Sequence, residues 1–165
     1  MHVSADDDVP FGTVVDVLYT SGHNHVRSWV LAWNGREFPL DPPRFSPTGV
    51  QGPDAYRVRW SAYHVGVDRV VADGSAREDW GCISVPRSSE PAERNGFFAS
   101  IGAEMCEACT PAGCPRLTIV PDPNTRYADA VGLAAAMLDA TSGCTIGLTI
   151  EAGTVADAPV CPRAD

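Results

Sequence analysis

The feature that most constrains this chain is a local pattern that occurs twice. Aligned without gaps at an offset of 116, Val3 falls on Ile119, Asp6 on Asp122, Asp8 on Asn124 and Phe11 on Tyr127. The match continues with Val15 on Val131, Leu18 on Ala134, Val30 on Ile146 and Ala32 on Leu148. Each copy reads as a strand, an Asp-containing turn, a helix and a closing strand. A lone β-α-β unit leaves an apolar sheet face and an open edge, so each copy must pack against something larger.

The first copy predicts a helix over 11–21, with Phe11, Val15 and Leu18 on one stripe and Val14 beside it. Asp6-Asp7-Asp8 reads as its cap, Pro10 as its opening and Gly22 as its stop. A strand over 26–33 follows, apolar on both faces. Residues 34–54 differ in composition: Pro39, Pro42, Pro43, Pro47 and Pro53 are interleaved with Gly35, Gly49 and Gly52. They read as a linker between a partial unit, 1–33, and a complete domain, 55–151, with a tail over 152–165.

In the second part, Tyr56, Val58, Trp60 and Ala62 alternate with polar residues as one arm of a β-hairpin. Its turn is expected over 64–68, around Gly66, and its return strand over 69–72. A short strand is expected over 82–85. Helices are expected over 89–108, on the stripe Phe98, Ile101 and Met105, and over 127–141, on the stripe Tyr127, Val131, Ala134 and Leu138. Asn124 reads as the cap of the second and Gly143 as its stop. Strands are expected over 117–120 and 145–150. The fold class is therefore α+β: a small mixed sheet with helices packed on one face and β-α-β units in partial tandem repeat.

Charge narrows the function. The net charge is −9 and the 12 Lys and Arg residues are scattered, so the chain lacks the basic surface that nucleic-acid binding needs. No apolar run reaches the roughly 18 residues of a membrane span, and the first residues do not read as a signal peptide.

The six cysteines are Cys82, Cys106, Cys109, Cys114, Cys144 and Cys161. Their even number and their clustering in the second half fit disulfides and an oxidising compartment, with 15 pairings open. Reduced, buried thiols are the competing reading. Cys106, Cys109 and Cys114 are also zinc candidates, because Cys-x-x-Cys supplies two thiolates and Cys114 a third, the fourth ligand being open between His64 and Cys82. A redox role is disfavoured by the position of this Cys-x-x-Cys at a helix end rather than a helix start. His23-Asn24-His25 reads as a solvated loop. No phosphate loop, dinucleotide fingerprint, nucleophile elbow or zincin helix occurs, so no catalytic residue and no cofactor are assigned. The four tryptophans, Trp29, Trp33, Trp60 and Trp80, read as core or interface anchors.

Two segments carry a resemblance. Val3-Ser4-Ala5-Asp6-Asp7-Asp8-Val9-Pro10-Phe11 leads to Val14-Val15. Leu117-Thr118-Ile119-Val120-Pro121-Asp122-Pro123-Asn124-Thr125-Arg126-Tyr127 leads to Val131. Both resemble the C-terminal half of the periplasmic domain of the ExbD/TolR family, in which a strand ends in Asp and leads through a short turn to an aromatic residue and a helix. The order of hairpin, helix, strand, helix, strand over 56–150 is similar to the whole family domain. The resemblance implies a non-enzymatic periplasmic domain that supports proton-driven energy transduction or biopolymer transport. Its implied partners are a second copy, in a homodimer, and membrane motor or envelope proteins. The family's membrane helix and its proton-coupling Asp have no counterpart here, so no residue inherits that role and direct membrane insertion is not expected. Met1 would lie almost inside a strand, which implies upstream sequence. The cysteines lie outside the family pattern. The alternative reading is a small zinc-binding or otherwise uncharacterised soluble module.

Overall fold

The structure, a computed structural model, describes residues 1–41, 55–61, 63–70, 83–111, 113–141 and 143–151. The chain is α+β. Its elements are β1 (His2–Val3), α1 (Phe11–His23), β2 (Trp29–Trp33), β3 (Arg36–Leu40), β4 (Ala55–Trp60), β5 (His64–Val70), β6 (Ile83–Pro86), α2 (Pro91–Glu107), β7 (Arg116–Val120), α3 (Tyr127–Asp139) and β8 (Gly147–Ile150). The strands form one mixed sheet in the order β1-β2-β3-β8-β7-β4-β5-β6. The sheet is larger than the expected small one, and both β-α-β units lie in it.

The first five strands of that order are palindromic. The parallel pair β1-β2 and the parallel pair β7-β8 flank β3. β3 runs antiparallel to β2 and parallel to β8, so the two pairs run in opposite directions. That is the arrangement of a pseudo-twofold axis normal to the sheet through β3. The helices agree with it, since α1 and α3 occupy positions related by the 116-residue offset at both ends.

The closing strands depart from the gap-free alignment. Val3 pairs with Leu31, and its mate Ile119 pairs with Ile150. Leu31 thus corresponds to a residue 119 positions on. Three extra residues in the α3–β8 connection replace the expected matches of Val30 with Ile146 and Ala32 with Leu148.

The stripe residues Phe11, Val14, Val15 and Leu18 of α1 are buried, as are Phe98, Ile101 and Met105 of α2. They pack with Leu31, Phe38, Tyr56, Val58, Trp60, Val65, Val67, Leu117, Ile119, Leu148 and Ile150 in one core on the helical face of the sheet. α3 is buried beyond its expected stripe: Ala130 to Ala135 and Met137 are all inside, whereas Leu138 is half-buried. It is the middle helix, in contact with α1 and α2. Gly102 lets α2 approach it closely, because a Cβ there would collide with the Met137 carbonyl. The other sheet face is polar, with ion pairs Arg59–Asp68 at 3.2 Å, Arg116–Asp41 at 3.7 Å and Arg57–Glu151 at 3.8 Å.

Several expectations are corrected. The stretch 34–54 was expected to be a linker; its first part is the central strand β3, and residues 42–54 lie outside the described residues. The β3 ladder with β8 is confined to Leu40, so Pro39 has a ladder partner only in β2 and its missing N–H is tolerated. The hairpin's first strand ends at Trp60 and its second begins at His64, so 64–68 belongs to β5. Between the two strands the Ser61 hydroxyl accepts the N–H of His64 at 3.1 Å and favours the turn locally. α1 continues through Gly22 to His23, and α3 ends at Asp139, before Gly143.

Candidate functional site

The two Asp turns meet at the pseudo-twofold axis. The Phe11 N–H donates to the Thr125 carbonyl at 2.7 Å, and the Tyr127 N–H donates to the Val9 carbonyl at 2.8 Å. The second pair is equally reciprocal: Gly12 N–H to Pro123 O at 3.0 Å, and Ala128 N–H to Asp7 O at 3.2 Å. Within each turn, Val9 N–H reaches Asp6 O and Thr125 N–H reaches Asp122 O, both at 3.0 Å. The Phe11 and Tyr127 rings stack across the axis, 6.1 Å apart.

This geometry corrects the expected helix caps. Neither α1 nor α3 has a side-chain cap, and their cap positions are Pro10 and Arg126 rather than Asp6–Asp8 and Asn124. The first two N–H groups of each helix, which have no intrahelical acceptor, are satisfied by carbonyls of the other copy's turn. No local sequence signal could reveal a partner more than a hundred residues away.

The two signature aspartates differ in surroundings. Asp122 is 6% exposed and is held by Arg87, which also donates to Ser61 O at 3.0 Å and Thr125 Oγ1 at 3.3 Å. Its other oxygen accepts the Asn124 N–H at 2.8 Å. The neighbouring Arg94 is buried and donates to Arg87 O at 3.1 Å and Asp129 Oδ1 at 2.9 Å. Arg126 grips Asp129 from outside at 3.0 Å, and this pairing raises the Arg126 pKa. Asp6 has no such shell among the described residues. It lines an open polar depression of about 520 Å³ with Ser4, Asp7, Trp33 and Asn34, in which Trp33 Nε1 donates to Asp7 Oδ1 at 3.1 Å.

The same asymmetry appears in the sheet. β7 carries β4 as a parallel neighbour on its outer side. Its mate β1 carries no strand there among the described residues.

The cysteines form a second cluster, at the far end of α2. Cys106 pairs with Cys144 and Cys109 with Cys114, with Cα atoms 5.8 Å and 4.1 Å apart. The expected zinc candidates Cys106, Cys109 and Cys114 are therefore brought together, but as disulfides, and Cys144 joins them. His64 belongs to β5 and is not part of the cluster. Cys82, Cys161 and Trp80 lie outside the described residues. His23 closes α1 with its ring on the Tyr19 carbonyl, and His25 follows at positive φ. Neither histidine takes part in a group of potential ligands among the described residues. Trp29 and Trp60 are buried and Trp33 is half-buried. No helix among the described residues is long and apolar enough to cross a membrane.

No protein-family model and no curated protein matches the chain.

Proposed function

We propose that this protein is a non-enzymatic interaction domain of the ExbD/TolR periplasmic type. It acts in an oxidising compartment, where protein contacts support energy transduction or biopolymer transport. The observation that supports this reading is the strand–Asp turn–aromatic–helix–strand unit, present twice in one sheet and followed in each copy from Asp to aromatic without interruption. The order of elements from β4 to β8 agrees with the domain that the resemblance implies, with β6 added to the hairpin. Two disulfides fit an oxidising compartment.

The contact surface in this reading is the β1 edge, which carries no strand among the described residues on the side where β7 carries β4. An open strand edge offers unpaired backbone groups to a second chain, and the occupant is a second copy of this chain. A photo-crosslinking residue placed at His2, on that edge, is expected to join two copies of the purified protein. The same residue at Glu93, exposed on α2, is expected not to. Light scattering is expected to give twice the 17.5 kDa chain mass. A monomer without cross-links from His2 would reject self-association through β1.

A further inference from the structure

Cys106 and Cys109 lie at the C-terminal end of α2, Cys114 follows a tight loop, and Cys144 lies in the α3–β8 connection. The Cys106, Cys109 and Cys144 sulfurs all lie within 4.8 Å of one another. The Cys114 sulfur is bonded to that of Cys109. All four residues are half-buried. Between Cys109 and Cys114, Thr110 and Gly113 exchange a reciprocal pair of backbone hydrogen bonds, each 2.9 Å.

A tetrahedral tetrathiolate zinc site has Zn–S bonds of about 2.3 Å, which places its sulfurs roughly 3.8 Å apart. The Cys109 sulfur lies at most about an ångström beyond that spacing from the sulfurs of Cys106 and Cys144, and those two, bonded when oxidised, can part to it once reduced. Electrostatics favours a neutralised state over bare thiolates. The negative end of a helix dipole disfavours thiolate at Cys106 and Cys109. Disulfides and protonated thiols carry no such charge, and a bound dication offsets half of it when the thiols ionise.

We propose that the four cysteines form a redox-gated zinc site: two disulfides when oxidised, and one tetrathiolate Zn²⁺ centre when reduced. In the first step each disulfide accepts two electrons and two protons, both from a dithiol, or the electrons from a phosphine and the protons from the water whose oxygen the phosphine takes up. Both S–S bonds break, four thiols form, and the reductant leaves as its disulfide or phosphine oxide. In the second step Zn²⁺ binds the four sulfurs and four protons are released. Cys144 supplies the fourth ligand, and His64, in β5, is not part of the cluster. The proposal is independent of the family reading, since the cysteines lie outside that pattern.

The test is an anaerobic Co²⁺ titration of the full chain after phosphine reduction and removal of the reductant, read by absorbance. One Co²⁺ per chain is expected, with sulfur-to-cobalt charge-transfer bands and the intense ligand-field bands of a tetrahedral thiolate site. Zn²⁺ should bleach both sets of bands. The oxidised protein should show neither. Cys114→Ser and Cys144→Ser should each weaken binding at least tenfold, while Cys82→Ser and Cys161→Ser should leave it unchanged. Circular dichroism, recorded alongside, reports whether the reduced chain keeps its fold. Absence of tetrahedral bands overturns the proposal whether the reduced chain stays folded or not. Equal binding by the Cys144→Ser variant overturns it as well.

Discussion

Gly102 and Gly96 both sit inside α2, and intrinsic propensity alone predicts that replacing either by Ala would stabilise the helix by about 1 kcal/mol. The structure separates them. A Cβ at Gly96 meets open space, whereas one at Gly102 collides with the Met137 backbone. Gly102→Ala is expected to cost about 3 kcal/mol in urea unfolding, and Gly96→Ala to be neutral or stabilising. Ion pairs divide in the same way by burial. Removing Arg94, which is 5% exposed, takes away the buried partner of Asp129 and leaves it Arg126 at the surface; the expected cost is about 2 kcal/mol. Removing Arg36, which meets Asp139 at the surface, should cost less than about 1 kcal/mol. Tyr127 differs from its mate Phe11 by a hydroxyl that donates to Ala32 O at 2.9 Å. Tyr127→Phe is expected to cost about 1 kcal/mol at neutral pH. Burial pushes the Tyr127 pKa above its ordinary value of 10.0. The neutral phenol is therefore favoured in the fold. Its contribution is complete below the unfolded-state pKa, and it declines as pH rises from there through the folded-state pKa. Denaturation followed at rising alkaline pH should show a decline in wild type that Tyr127→Phe reduces. The sequence made the apolar identities of these positions readable. Neither the Gly102 approach nor the Arg94–Asp129 pair was readable, because both join α2 to a helix folded against it from elsewhere in the chain.

At the scale of elements, periodicity located all three helices and the hairpin's first strand, since each buries a regular face. It failed where a local signal competed with tertiary placement. Gly66 resembles a turn residue, yet it lies in β5 between Val65 and Val67, both fully buried; their alternation was the stronger signal. β3 was hidden by its Pro39 and by the proline-rich stretch around it. The helix caps were misread because each helix start takes its hydrogen-bond acceptors from the opposite turn. The Cys106–Cys144 disulfide ties the end of α2 to the α3–β8 connection across a sequence separation of 38. In the loop-entropy account such a closure contributes about 4 kcal/mol, against about 2 for the short Cys109–Cys114 loop. Cys144→Ser should therefore lower the urea midpoint clearly more than Cys114→Ser, measured on the oxidised proteins.

For the whole molecule, the repeat was legible as a pattern and its consequence was not. Two copies could have formed two domains joined by a linker, and residues 34–54 invited that view. Instead β3 joins the two copies, and the turns exchange hydrogen bonds across a pseudo-twofold axis. Each copy completes the other's helix. The Asp6 and Asp122 halves then diverge: Arg87 holds Asp122, whereas among the described residues Asp6 has no such shell and β1 has an open edge on the side where β7 carries β4. The open edge supports the interaction reading.

The central claim is that the two units are one cooperative structure. Native-state hydrogen exchange at the Phe11 and Tyr127 amides tests it most directly, since each donates to the other copy's turn. Both amides are expected to exchange with the same opening free energy, equal to that of global unfolding, and with the same denaturant dependence. If both amides instead exchange through a shared opening well below the global free energy, while amides of the β4–β7 ladder stay protected to the global limit, the first unit is a separable appendage and the account is wrong.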